Sequence, residues 1–163
     1  MAASRPSVLL VESAQDDREM YAEFLRAHNF APLEVETTDE ALRAASTADV
    51  IVTGIRVPGS FDGVELVRRL RHDGATKHKA LIVLTACVFE PDLSRAHAAG
   101  CDVFLPKPCL PETLLAEIQS VLHRGRELRT QSERQRLRVA KASLKSTHLL
   151  EESRRLQARL REK

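Results

Sequence analysis

The sequence has no long apolar run. The longest are Val8 to Val11, Ala48 to Val52 with Asp49 inside it, and Ala80 to Leu84, all far too short to cross a bilayer. No membrane partner is expected. The N-terminal stretch from Met1 to Pro6 leads into the first of these runs without the apolar core of a signal peptide, so a cytoplasmic address is expected. Cysteine is scarce as well. Cys87, Cys101 and Cys109 are odd in number and form no Cys-x-x-Cys pair, so neither a disulfide framework nor a zinc site is indicated. They are expected to be small thiols near the ends of buried strands. The six histidines, His28, His72, His78, His97, His123 and His148, show no His-x-x-x-His spacing and are read as surface residues.

What is present is a 163-residue chain with 43% hydrophobic and 29% charged residues, room for one ordinary domain and an appendage. Its charge is unevenly placed. Residues 1–123 hold 12 Lys and Arg against 18 Asp and Glu, whereas 124–163 hold 13 against 5. An acidic body therefore carries a basic tail, and the chain divides into 1–123 and 124–163.

Within the body, short apolar runs alternate with segments of helical period. Ser7 to Glu12, Pro32 to Val35, Ala48 to Thr53, Ala80 to Thr85 and Asp102 to Leu105 read as strands, because near-continuous β-branched and leucine runs suit strands covered on both faces. Between them, Met20, Tyr21, Phe24 and Leu25 mark the apolar face of a first helix, opposite Asp17, Arg18, Glu23 and Arg26, with Asn29 as its stop. Thr37 to Glu40 opens a second helix with cap-type residues ahead of Ala41, Leu42 and Ala45. A third carries Val64, Leu66, Val67 and Leu70, and Pro91 to Ala99 forms a fourth stopped by Gly100. Pro111 and Glu112 open a fifth, whose face is Leu114, Leu115, Ile118, Val121 and Leu122. Five strands alternating with five helices imply an α/β fold with a doubly wound parallel sheet. Chemistry on such a sheet sits at the carboxyl ends of the strands, here Glu12 and Ser13, Gly54, Thr85 with Ala86, and Lys107.

Six fragments in order, Val8 to Glu12, Ile55 to Gly59, Asp62-Gly63, Val83 to Ala86, Ala99-Gly100 and Leu105 to Pro108, resemble the receiver domain of two-component response regulators. The loop between Gly59 and Asp62 is slightly longer than usual for that family. The resemblance implies a flavodoxin-like sheet of strand order 2-1-3-4-5. It also implies a switch in which an aspartate at the end of the third strand is phosphorylated by a histidine kinase. Two acids after the first strand join it in holding Mg²⁺, a Thr or Ser after the fourth contacts the phosphoryl group, and a Lys after the fifth neutralises it. Such chemistry needs cations to cancel the charge that builds up on the transferring group.

On this pattern Glu12, Thr85 and Lys107 match, and Phe104 stands at the switch aromatic. Lys107-Pro108 matches the family's cis peptide. Ser13 stands where the second acid is expected and Gly54 where the phosphoacceptor is expected. The resemblance thus implies an atypical receiver, not an enzyme, with weak or absent Mg²⁺ binding and no cofactor. Its implied partner is another signalling protein, a kinase or effector. Without a phosphoryl group, Lys107 is expected to pair with Glu12. Asp16 and Asp17 are read as acids favoured at a helix N-terminus, Asp62 as a turn former, and Thr53 as pointing away from the crevice. A receiver phosphorylated at one of these residues stays open as an alternative.

From Gly125 to Lys163 there is no Pro and no further Gly, and a long helix is expected. Leu137, Ala140 and Leu144 fit one heptad phase and Leu149, Leu156 and Leu160 another, so no single seam is sustained. The tail fits a solvated helix packed on its own domain or on a second copy, a partner-binding or homodimerising helix, or a nucleic-acid contact. For the last it has basic charge but no aromatic residue to stack.

Overall fold

The computed structural model describes residues 5–86 and 89–161, with side chains up to Lys145 and at Arg154. Cys87 and the side chains of His148, Leu149, Leu156 and Leu160 lie outside the described residues. Five strands, β1 (Ser7–Val11), β2 (Ala31–Val35), β3 (Val50–Thr53), β4 (Ala80–Thr85) and β5 (Val103–Pro106), form one parallel sheet of order β2-β1-β3-β4-β5. The helices are α1 (Gln15–Ala27), α2 (Thr38–Ala44), α3 (Gly63–His72), α4 (Glu90–Ala99) and α5 (Pro111–Arg161), with a 3₁₀ turn at Ala45–Thr47. Two units are distinguished, Met1–His123 and Arg124–Lys163.

Alternation along each strand sends successive side chains to opposite sides of the sheet, and this builds two cores. Leu9, Val11, Ile51, Leu81 and Val83 meet Ala41 of α2, Val64, Leu66, Val67 and Leu70 of α3, and Ala96 and Ala99 of α4. Val8, Leu10, Val50, Val52, Ile82 and Leu84 meet Tyr21, Ala22 and Leu25 of α1 and Leu114, Leu115, Ile118 and Val121 of α5. Each fully buried leucine or isoleucine of these sets contributes about 1.5–3 kcal/mol, so the sheet centre is the stable frame for its carboxyl edge.

Helix ends follow local chemistry. Thr37 and Glu40 form a reciprocal capping box on α2, and Gly100 closes α4 in the left-handed region at φ 101°. Asp62 caps α3, accepting the Glu65 N–H at 2.8 Å, and also pairs with Arg95 of α4 at 2.9 Å. Burial pulls the Asp62 carboxyl upward, but the Glu65 N–H and the Arg95 guanidinium outweigh it and hold it below the ordinary aspartate value. A depressed folded value means stability that is present above the unfolded pKa of about 3.9 and fades as pH falls through the folded one. Asp62→Ala should therefore cost about 1 kcal/mol at neutral pH, the usual loss of an N-cap. In urea unfolding the gap to the wild type should close in acid.

Two readings of α1 are corrected. Met20 is 41% exposed, not part of the buried face, and Arg18, placed on the polar face by its residue type, is buried. The guanidinium of Arg18 reaches back along the helix, donating to the Glu12 carbonyl oxygen at 2.7 Å and to Glu36 Oε1 at 2.8 Å. A long arginine stem covers apolar surface while its head finds acceptors at the rim. Leu42 of α2, at 38%, is likewise exposed.

Candidate functional site at the carboxyl edge of the sheet

The edge is assembled by backbone bonds that continue the ladder past the strand ends. Glu12 donates its N–H to the Val35 carbonyl at 3.1 Å, Gly54 to that of Val11 at 3.3 Å, and Lys107 to that of Thr85 at 2.9 Å. These bonds bring Glu12, Gly54, Thr85 and Lys107, distant in sequence, to one rim. Gly54 follows β3 directly and lines a small pocket with Val11, Glu12, Arg18, Tyr21 and Leu84. A Cβ built on Gly54 would lie 3.2 Å from Val57 Cγ2 and 3.6 Å from the Leu84 carbonyl oxygen, so a side chain fits there with a slight shift of Val57.

The adjoining Gly63 is different. Its N–H donates to the Ile55 carbonyl at 2.8 Å, and a Cβ there would fall 1.8 Å from the Gly54 carbonyl oxygen. The α3 N-terminus thus lies directly against the backbone of the β3 tip, a close approach that only glycine permits. Asp62-Gly63 fixes the tip as well as turning the chain.

Lys107 is the centre of the polar rim. Its Nζ donates to Glu12 Oε2 at 2.6 Å and to Asp17 Oδ2 at 2.6 Å. The side chains of Lys107 and Glu12 are 18% and 17% exposed, and that of Asp17 is 42%. Burial lowers the lysine's pKa, but the hydrogen bonds and charges of Asp17 and Glu12 outweigh it and leave the value raised, so the ammonium persists at neutral pH. Glu12 Oε1 also accepts the Ala14 N–H at 2.9 Å, which orients the carboxylate. Beneath them the Tyr21 hydroxyl donates to the Cys109 carbonyl at 2.7 Å, and burial pushes its phenol above the ordinary value.

Ser13 is exposed, Thr85 is buried, and Thr53 Oγ1 donates to the Gly54 carbonyl at 3.0 Å. Phe104 is half-buried and packs against the core on the α2–α4 side. Lys107-Pro108 is cis. Among the described residues, no three His, Cys, Asp or Glu side chains converge to hold a metal ion. Cys101 and Cys109 are half-buried free thiols, and burial raises the pKa of both.

Sequence reasoning missed Asp17 and Arg18. Asp17 looked like one of two interchangeable acids at a helix start. The available signal was its place in the first turn of α1, directly after the strand end that carries Glu12.

A family model described as "Response regulator receiver domain" matches residues 8–119. The phosphate regulon transcriptional regulatory protein PhoB of Escherichia coli is 30% identical over 119 residues, 72% of this chain and 52% of that protein. The polar-differentiation response regulator DivK of Brucella ovis is 25% identical over 118 residues and is covered to 95%. The chain spans about half the length of the first of these relatives. Among solved structures, the chemotaxis response regulator CheY4 of Vibrio cholerae is similar with a TM-score of 0.65 and 29% identity, over 71% of this chain and 98% of that one. A putative response regulator from Chloroflexus aurantiacus gives 0.68 and 25%, over 72% and 98%.

Proposed function

Since the chain belongs to the response regulator receiver domain family, we propose that it is a signalling module acting through protein contacts, without phosphorylation of an aspartate at the β3 tip. The observation that carries this reading is Gly54, which follows β3 where the family resemblance expects the phosphoacceptor and offers no carboxylate. The Lys107 bonds support it. An ammonium held by Glu12 and Asp17 occupies the acids that a divalent cation would need, and Ser13 supplies no further charge. Mg²⁺ demands several hard oxygen ligands in near-octahedral array, and this donor set does not fit it. No step of the function is therefore routed through a metal.

In this reading Glu12, Asp17 and Lys107 are structural. They lock the ends of β1, α1 and β5 together, and they keep the rim in one state where a phosphorylated relative would have two. The output is a fixed surface read by a kinase or an effector, and the basic C-terminal part of α5, from Arg124 on, is the element that adds assembly or output to it. Several relatives are named as transcriptional regulators, but this chain matches only about half their length, and their DNA contacts are not carried over.

The test is direct. Incubation with Mg²⁺ and acetyl phosphate, or with beryllofluoride, should give no mass adduct and no change in melting temperature. A stoichiometric adduct mapped to any aspartate of the rim, Asp16, Asp17 or Asp62 included, would overturn the proposal.

A further inference from the structure

The body and the tail carry complementary surfaces. The α1 and α5 helices cover the same side of the sheet, and their solvent side is acidic: Asp16, Glu19 and Glu23 on α1, Glu112 and the half-exposed Glu117 on α5. No Lys or Arg occurs between Pro108 and His123, and Arg18 is buried. Arg26, the one exposed arginine on α1, is paired with Glu34. At the middle of the acidic stripe stands Met20, flanked by Asp16 and Glu23 at helical spacings of four and three.

The tail has the opposite character. Residues 124–145 hold eight Lys and Arg against two Glu, and Leu137 and Leu144, 61% and 72% exposed, lie two turns apart on one helical face. Arg134 and Lys141 flank them at spacings of three and four and Lys145 follows Leu144, against one acid, Glu133, four residues before Leu137, so the same face offers leucines edged mainly by cations. Two such faces set against each other would bring like charges together. The α1–α5 face offers the reverse pattern, a methionine edged by acids.

We propose that the chain forms a reciprocal dimer in which the basic helix of each copy lies on the acidic α1–α5 face of the other, with Leu137 and Leu144 against Met20. Reciprocity closes the assembly, since each copy gives one tail and receives one. The contact is driven by modest apolar burial, with charge setting partner and orientation, so it should be weak and sensitive to salt. It does not depend on whether the β3 tip accepts phosphate, and its failure would leave the reading above untouched.

Sedimentation equilibrium of the whole chain tests it. At about 0.05 M salt a dimer is expected, and at about 0.5 M its dissociation constant should rise at least about tenfold as screening shortens the reach of the charges. Glu19→Lys with Glu23→Lys should make the protein monomeric at low salt, and so should Arg134→Glu with Lys141→Glu and Lys145→Glu. An equimolar mixture of these two variants should form a heterodimer, since each tail then meets a face of opposite charge. That restoration also shows that both variants are folded. A wild type that stays monomeric at low salt overturns the proposal, and so does a dimer indifferent to the α1 reversals, which would mean that the tails pair with each other. A monomer whose tail binds duplex DNA with steep salt dependence would assign the basic helix to nucleic acid instead.

Discussion

Gly63→Ala should be among the most damaging single-methyl additions in the body, costing about 3–5 kcal/mol, a range reached only through a defined steric or cavity mechanism. The added Cβ would fall 1.8 Å from the Gly54 carbonyl oxygen, 2.9 Å from the Gly54 carbonyl carbon and 3.2 Å from Ile55 Cα. All three are backbone atoms of the β3 tip, which Thr53 and Ile55 anchor in the core at 1% and 3% exposure, so no side-chain rotation relieves the clash. Either α3 retreats, breaking the 2.8 Å bond from Gly63 N–H to Ile55 and the Asp62 cap, or the tip of β3 bends out of register with β1. Gly74→Ala is the control. Its Cβ would meet nothing within 4 Å, and the substitution should leave stability within about half a kcal/mol of the wild type. Urea unfolding of the two variants checks the contrast. Comparable midpoints would show that the β3–α3 junction relaxes more freely than its geometry indicates.

The same junction shows what the sequence could reveal and what it could not. The parallel sheet was legible because Val8 to Val11, Val50 to Val52 and Leu81 to Leu84 are buried on both faces, and a strand covered twice announces itself as an unbroken apolar run. The Asp62-Gly63 pair was legible as a turn, but its reason is a contact with Gly54, nine residues earlier, which periodicity does not encode. Arg18 and Met20 were misplaced because residue type was set above angular position: Arg18 stands three, four and seven residues before the buried Tyr21, Ala22 and Leu25, on their own face, and Met20 stands off it. Arg18 has acceptors waiting at the Glu12 carbonyl and Glu36, whereas Met20 faces solvent. Asp17 was hidden for a different reason. Its partner Lys107 lies 90 residues away, and only closure of the sheet brings the two within 2.6 Å.

That pairing raises the hurdle for the second large effect, the installation of Mg²⁺ binding. Gly54→Asp alone should fold, because the pocket at the β3 tip admits a Cβ with only Val57 Cγ2 at 3.2 Å to give way, and replacing a strand-end glycine removes an entropic cost of about 0.5–1 kcal/mol. It should not bind Mg²⁺ tightly, since the new carboxylate would join Glu12 with Ser13 still uncharged and Lys107 still bridging Glu12 and Asp17. Adding Ser13→Asp supplies a third acid, and the pull on a divalent ion should then exceed that on the lysine ammonium. Binding at ten times the dissociation constant would add about 1.4 kcal/mol, which for a domain of this size raises the melting temperature by about 4 °C or more. Asp17→Asn in that background should strengthen the gain if Asp17 holds Lys107 over the site, because the ammonium would lose one of its two acceptors and yield Glu12 to the metal. Melting curves with and without Mg²⁺ across the four proteins, wild type, single, double and triple, read the series. A full Mg²⁺ shift in Gly54→Asp alone would mean that Glu12 and the new aspartate suffice, and that the Lys107 bridge opens at little cost.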